Sequence, residues 1–180
     1  MLGVDEIAER LGSIGFCCRE CGGCCRRVGE DSNLVLVGAA ELREIMAATG
    51  MKREEIVEPY PEFIRAGNGG EYTLAWCLRR TLDACIFLKD GRCSIYEHRP
   101  WICRTYPFML VDDDLMVSEC PGLGASISPS AARDAAADLC RRQAAEAEEE
   151  AEIREIFREA EIPPGKRVVI DSEGMKVLDG

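Results

Sequence analysis

The sequence predicts a small α+β domain tied together by its cysteines, with short strands or hairpins in the first two thirds and a long C-terminal helix. Three observations carry this expectation. Short apolar runs alternate with turn signals such as Asn68-Gly69-Gly70 and Asp90-Gly91, the punctuation of short strands. From Ser128-Pro129 onward the chain reads as one uninterrupted helix, a capping side chain followed by proline at the first helical position. Finally, 11 cysteines sit in a chain of 180 residues that, at 47% hydrophobic, can bury a core of its own, so the thiols need another purpose.

Taken in order, residues 4–14 place Val4, Ile7, Ala8 and Leu11 on one helical face, and the helix runs out at Gly12 and Gly15. Residues 33–37, starting at Asn33, read as a short strand. Residues 39–49 read as a helix built on Leu42, Ile45 and Met46 and stopped by Gly50, with a further helical turn at 54–57. Pro59 and Pro61 close that part. Residues 72–77 read as one strand, and residues 85–96 as a hairpin whose arms, 86–88 and 93–96, join through Asp90-Gly91. The C-terminal helix is expected to run to about residue 161, with Ile153, Ile156, Phe157 and Ala160 on one face and the glutamate-rich stretch 146–152 in solvent. Pro163-Pro164-Gly165 breaks it, and 168–170 with 175–178 form a terminal hairpin around Glu173-Gly174. The expected organisation is one domain overall: residues 1–127 form the cysteine-cluster part, and 128–180 the helix and hairpin packed on it.

Charge narrows the function. With 33 Asp and Glu against 22 Lys and Arg, the net charge is -11, which disfavours nucleic acid and anionic membrane surfaces as partners. Asp5, Glu6 and Glu9 stand where a secretory signal would be basic and apolar, and no uncharged run approaches the ~20 apolar residues that cross a bilayer. A cytoplasmic protein is expected. Disulfides are rare there, so clustered thiols point to metal or to redox chemistry.

Cys18, Cys21, Cys24 and Cys25 form C-x2-C-x2-C-C, and Gly22-Gly23 lets the backbone fold tightly enough for several sulfurs to converge. Such closely spaced thiolates bind tetrahedral zinc or an iron-sulfur cluster, and the spacing admits both. Adjacent Cys24 and Cys25 would strain to reach one ion, so one of them is expected to turn to a second centre or to Cys120. Cys85, Cys93 and Cys103 form a second group. A two-residue turn at Asp90-Gly91 would put Cys85 and Cys93 on opposite faces, so shared ligation needs a bulge or a longer loop. Together with Cys120, the two groups give eight candidate metal ligands: Cys18, Cys21, Cys24, Cys25, Cys85, Cys93, Cys103 and Cys120. That is enough for two four-cysteine sites, or for one with thiols to spare.

The stretch Phe16-Cys17-Cys18-Arg19-Glu20-Cys21-Gly22-Gly23-Cys24-Cys25 resembles the YkgJ-like CxxCxxCC proteins, a zinc- or iron-chelating family related to flagellin lysine N-methylase. So do Cys85-Ile86-Phe87-Leu88 and the run Cys93-Ser94-Ile95-Tyr96-Glu97-His98-Arg99-Pro100-Trp101-Ile102-Cys103-Arg104-Thr105-Tyr106-Pro107. The resemblance spans roughly residues 16–122, Cys120-Pro121-Gly122 included. It implies metal chelation, by Zn2+ or by a cluster such as 4Fe-4S, and more distantly a protein methyltransferase; no convincing S-adenosylmethionine loop is present.

Local charge points the same way. Residues 16–27 hold Arg19, Arg26 and Arg27 against Glu20, and residues 77–108 hold Arg79, Arg80, Lys89, Arg92, Arg99 and Arg104 against Asp83, Asp90 and Glu97. Thiolates around zinc or iron leave an anionic centre that nearby arginines would offset. Cys17-x3-Cys21-x2-Cys24 with Gly69-Gly70-Glu71 also mimics radical S-adenosylmethionine enzymes, but the chain lacks the strand-helix repeats of their barrel. Cys17, Cys77 and Cys140 read as buried, inert thiols. His98 is the one histidine, which excludes a histidine-rich centre, and an exposed or hydrogen-bonded imidazole is expected there. Trp101, Tyr106 and Phe108 read as packing beneath a loop. Two roles compete: an iron-sulfur protein in electron transfer or protein modification, and a structural zinc module that presents a surface to a protein partner.

Overall fold

The computed structural model describes residues 2–26, 34–111 and 114–178, so Asn33 of the first expected strand and Arg27 of the first basic island lie outside the described residues. Helix α1 (Val4–Ile14) buries Ile7 and Leu11, one turn apart, and runs through Gly12 to stop at Gly15. It packs along the long helix α5 (Pro129–Glu159), which presents Ala132, Ala136 and Leu139 to it. Small alanines let the two axes come close, and Phe108 fills the end of the seam. The α5 start is as expected: the Ser128 hydroxyl accepts the Ala131 N–H at 3.2 Å, and Pro129 opens the first turn.

A second core lies between α2 (Ala39–Thr49) and a three-stranded antiparallel sheet. The sheet is ordered β1 (Leu36–Val37), β5 (Trp76–Leu78), β2 (Val57–Pro59), with the one-turn helix α3 (Arg53–Ile56) leading into β2. Beside it stands a four-stranded sheet ordered β11 (Gly174–Leu178), β10 (Arg167–Asp171), β4 (Glu71–Thr73), β3 (Ile64–Arg65). The terminal hairpin forms as expected, Asp171 opposite Gly174, and β10 also adds in parallel to β4. The single strand expected at 72–77 is in fact two, β4 and β5. The chain corners at Leu74-Ala75 and crosses from one sheet to the other, with Thr73 before the corner and Trp76-Cys77-Leu78 after it all buried. Asp171, 3% exposed, links the two sheets. It accepts hydrogen bonds from Trp76 Nε1 at 2.8 Å, Arg53 Nη1 at 3.1 Å, the Glu173 N–H at 2.9 Å and Lys176.

The cysteine-bearing segments are nearly all loop and turn. They comprise the stretch after α1, the short hairpin β6 (Leu88–Lys89) with β7 (Arg92–Cys93), the five-residue helix α4 (Trp101–Thr105) and the hairpin β8 (Phe108–Val111) with β9 (Asp114–Val117). The α4 helix lies where the sequence reading expected aromatics packed beneath a loop, and the β8–β9 hairpin lies where it placed no element. Among the described residues no helix is long and apolar enough to cross a membrane.

Candidate metal centre

Main-chain hydrogen bonds bring the cysteine segments together. The Cys85 N–H donates to the Cys25 carbonyl at 2.8 Å, and Arg26 bridges Ala84 beside it. The Cys17 N–H donates to the Gly122 carbonyl at 3.1 Å. At Gly122 any side chain would collide, since a Cβ would stand 2.4 Å from the Cys17 carbonyl oxygen. Gly22 turns the chain at φ 68 into a three-residue helical turn, Gly23–Cys25, and lies close against the Gly91 carbonyl of the β6–β7 turn. Three segments distant in sequence are thereby fixed around one space.

That space is a cavity of about 580 Å³, and Cys18, Cys21, Cys24, Cys25, Cys85, Cys93, Cys103 and Cys120 all line it. Cys17, Cys77 and Cys140 do not. Cys77 is buried in β5, where burial pushes its thiol up to about 11, and Cys140 packs half-buried against the α1–α5 core. Cys17 corrects the expectation of a buried thiol: its backbone is held at Gly122 and its side chain is exposed. His98 is exposed at the end of a helical turn and is not part of the wall. Among the described residues, no three Cys, His, Asp or Glu side chains stand in a coordinating arrangement around one point.

The expected divergence of Cys24 and Cys25 is not found. Their thiols hydrogen-bond each other, which holds Cys24 down to about 6 against the opposing effect of burial and pushes Cys25 up. A turn of three residues per revolution spreads neighbouring side chains by a third of a circle, within the reach of two sulfurs. Of the pair, Cys24 is the thiol that ionises more readily. Cys85, Cys93 and Cys103 are raised by burial, and Cys103 also by the neighbouring thiols Cys85, Cys24 and Cys93. The opposite-face constraint on Cys85 and Cys93 does not arise, because the ladder stops at Leu88 paired with Cys93 and Cys85 lies one turn before it.

Cys18, Cys21 and Cys120 share the wall with two tyrosines, Tyr96 and Tyr106. Burial and a hydrogen bond with Cys18 raise the Tyr96 hydroxyl. Tyr106, raised by burial and by Cys120, donates its hydroxyl to the Glu119 carbonyl at 2.5 Å. Of the expected arginines, Arg19, Arg92, Arg99 and Arg104 line the wall, whereas Arg79 and Arg80 turn to β2, Arg80 pairing with Glu58 at 3.7 Å. Nothing in the sequence pointed to the tyrosines as part of the wall; Tyr96 and Tyr106 each lie three residues beyond a candidate ligand, which is the signal that was available.

The family described as "CxxCxxCC: Putative zinc- or iron-chelating domain" matches residues 17–154, well over half of the chain. The chain belongs to the CxxCxxCC family. An uncharacterised protein of Methanocaldococcus jannaschii, MJ0661, is 31% identical to it over 100 residues, 54% of this chain and 47% of that protein, so the chain spans about half of that relative's length. No solved structure matches. The donor set fits the CxxCxxCC description, since thiolate sulfur is a ligand to zinc and to iron-sulfur clusters alike.

Proposed function

We propose that this CxxCxxCC protein binds an iron-sulfur cluster through the eight wall cysteines and works in electron transfer or protein modification. The observation behind the reading is that all eight thiols expected as ligands face one cavity of about 580 Å³. A structural zinc site is closed, with four ligands and no room left over. Eight sulfurs around a space the size of a small-molecule pocket suit a polynuclear cluster, or two centres, with an open position beside it. Bound there, a cluster would supply one-electron chemistry or an open iron.

The chain's own part is to hold and tune it. Cys24 ionises more readily than Cys25, and the half-buried thiols Cys25, Cys85, Cys93 and Cys103, held protonated, would give up their protons to metal. The tyrosines Tyr96 and Tyr106 border the space, with Tyr96 hydrogen-bonded to Cys18. The partly open mouth supports protein modification, the activity that the resemblance to flagellin lysine N-methylase implies. A structural zinc module is the competing reading.

Anaerobic purification followed by elemental analysis for iron, zinc and acid-labile sulfide, with a visible spectrum of the same sample, decides between them. Iron with matching sulfide and a brown charge-transfer band is the expected result. Colourless protein with stoichiometric zinc overturns the cluster reading and leaves the structural module.

A further inference from the structure

Among the described residues arginines commonly meet a carboxylate: Arg92 meets Glu20 at 4.0 Å, Arg80 Glu58 at 3.7 Å and Arg142 Glu146 at 2.7 Å. Arg99, half-buried in the cavity wall, meets none. Its Nε donates to the Tyr96 carbonyl at 2.7 Å and its guanidinium lies 3.5 Å from the centre of the Tyr96 ring. Those two contacts fix the plane of the group and leave its terminal nitrogens uncommitted among the described residues. Arg99 lines the same cavity wall as Cys24, Cys93 and Cys103, so the groups its charge can face there are thiols. The ring it stacks on is itself part of the wall, beside Cys18 among the lining residues.

We infer that Arg99 is the positioning residue of the metal centre, a cation clamped on Tyr96 and kept free of carboxylates so that its counter-charge is the metal-bound thiolates. The inference rests on the reading of the cavity as a metal centre and names the side chain that tunes it. A protein of net charge -11 gains from holding a cation unpaired only where an anion arrives later. Lysine would keep the charge but not the planar stack, and glutamine would keep neither. Arg104 makes the same two kinds of contact but holds them loosely, its ring at 4.8 Å against 3.5 Å and its carbonyl at 3.5 Å against 2.7 Å, so its guanidinium is less firmly oriented. Arg92 is exposed and already paired with Glu20.

The test measures Zn2+ affinity of the full chain, by competition with a chelator, for wild type, Arg99→Gln, Arg99→Lys and, as a control away from the cavity, Arg158→Gln on the exposed face of α5. Partners of metal ligands are worth roughly 10–100-fold in affinity, so Arg99→Gln should weaken zinc by about that factor, Arg99→Lys should recover part of it, and Arg158→Gln should match wild type. Melting of the metal-free Arg99→Gln protein should be no lower than wild type, which a merely structural role would not give. If the protein as isolated holds iron, the same substitution should also shift its reduction potential to more negative values, because a cation that stabilises the reduced centre is gone. Affinity unchanged in Arg99→Gln, or lowered as much in Arg158→Gln, overturns the inference and leaves the metal centre standing. A wild-type chain that binds neither zinc nor iron removes the metal-centre reading itself.

Discussion

Cys24 and Cys25 share one hydrogen bond, and the bond makes the two thiols unequal: Cys24 ionises readily and Cys25 resists. Cys24→Ala or Cys21→Ala should lose metal and much of the thermal stability, because ligation free energy is folding free energy. Cys140→Ala, whose thiol packs in the other core, should keep wild-type metal content by elemental analysis. At the other end of the molecule, hydrogen bonds from Lys176, Trp76 and the Glu173 N–H hold the Asp171 carboxyl below its usual value despite burial. A depressed carboxyl contributes stability that is complete above its unfolded-state value and disappears as pH falls through the folded one. Trp76→Phe removes one of those donors, so its acid-unfolding midpoint should move to higher pH than that of wild type.

At the scale of elements, the helices were legible and the crossings were not. Periodicity and capping located α1, α2 and α5 because Ile7, Leu11, Leu42, Ile45 and the Ser128-Pro129 start act locally. Strand pairing is non-local. Nothing near residues 72–77 announces that Thr73 and Trp76 belong to different sheets, or that Arg167–Asp171 comes back to lie parallel to β4. Spacing pointed to Cys18, Cys21, Cys24 and Cys25, and count and family resemblance to the four later cysteines that line the same cavity, whereas the Cys24–Cys25 contact and the tyrosine border depend on turns that only the folded chain defines. The turn at Gly122 can be checked by substitution. Gly122→Ala would press a methyl into the Cys17 carbonyl, and crowding of that kind costs about 1–3 kcal/mol, so its denaturant midpoint should fall, with metal content falling as the Cys17–Gly122 contact opens.

Over the whole molecule, two apolar cores flank a cavity wall made mostly of loop. Removing metal with a chelator should therefore loosen one region and spare the others. Backbone amides at Cys17, Cys25 and Cys85 should exchange faster with solvent deuterium, while those of Ala136 and Leu139 inside α5 stay protected. Uniform loss of protection would show that the cores depend on the metal as well. Leu139→Ala tests the core side, with an expected loss of about 2–5 kcal/mol in unfolding free energy and no change in metal per chain.

The hydrogen bond from Cys85 to the Cys25 carbonyl also sets an order of events during synthesis. The CxxCxxCC segment leaves the ribosome long before Cys85, Cys93, Cys103 and Cys120 exist to face it. For that interval its thiols stand in water with no wall and no Arg99 beside them, open to whichever ion or oxidant arrives first. Assembly of the correct centre is then a matter of timing as well as affinity, and a nascent chain stalled before residue 85 would be the form most easily loaded with the wrong metal.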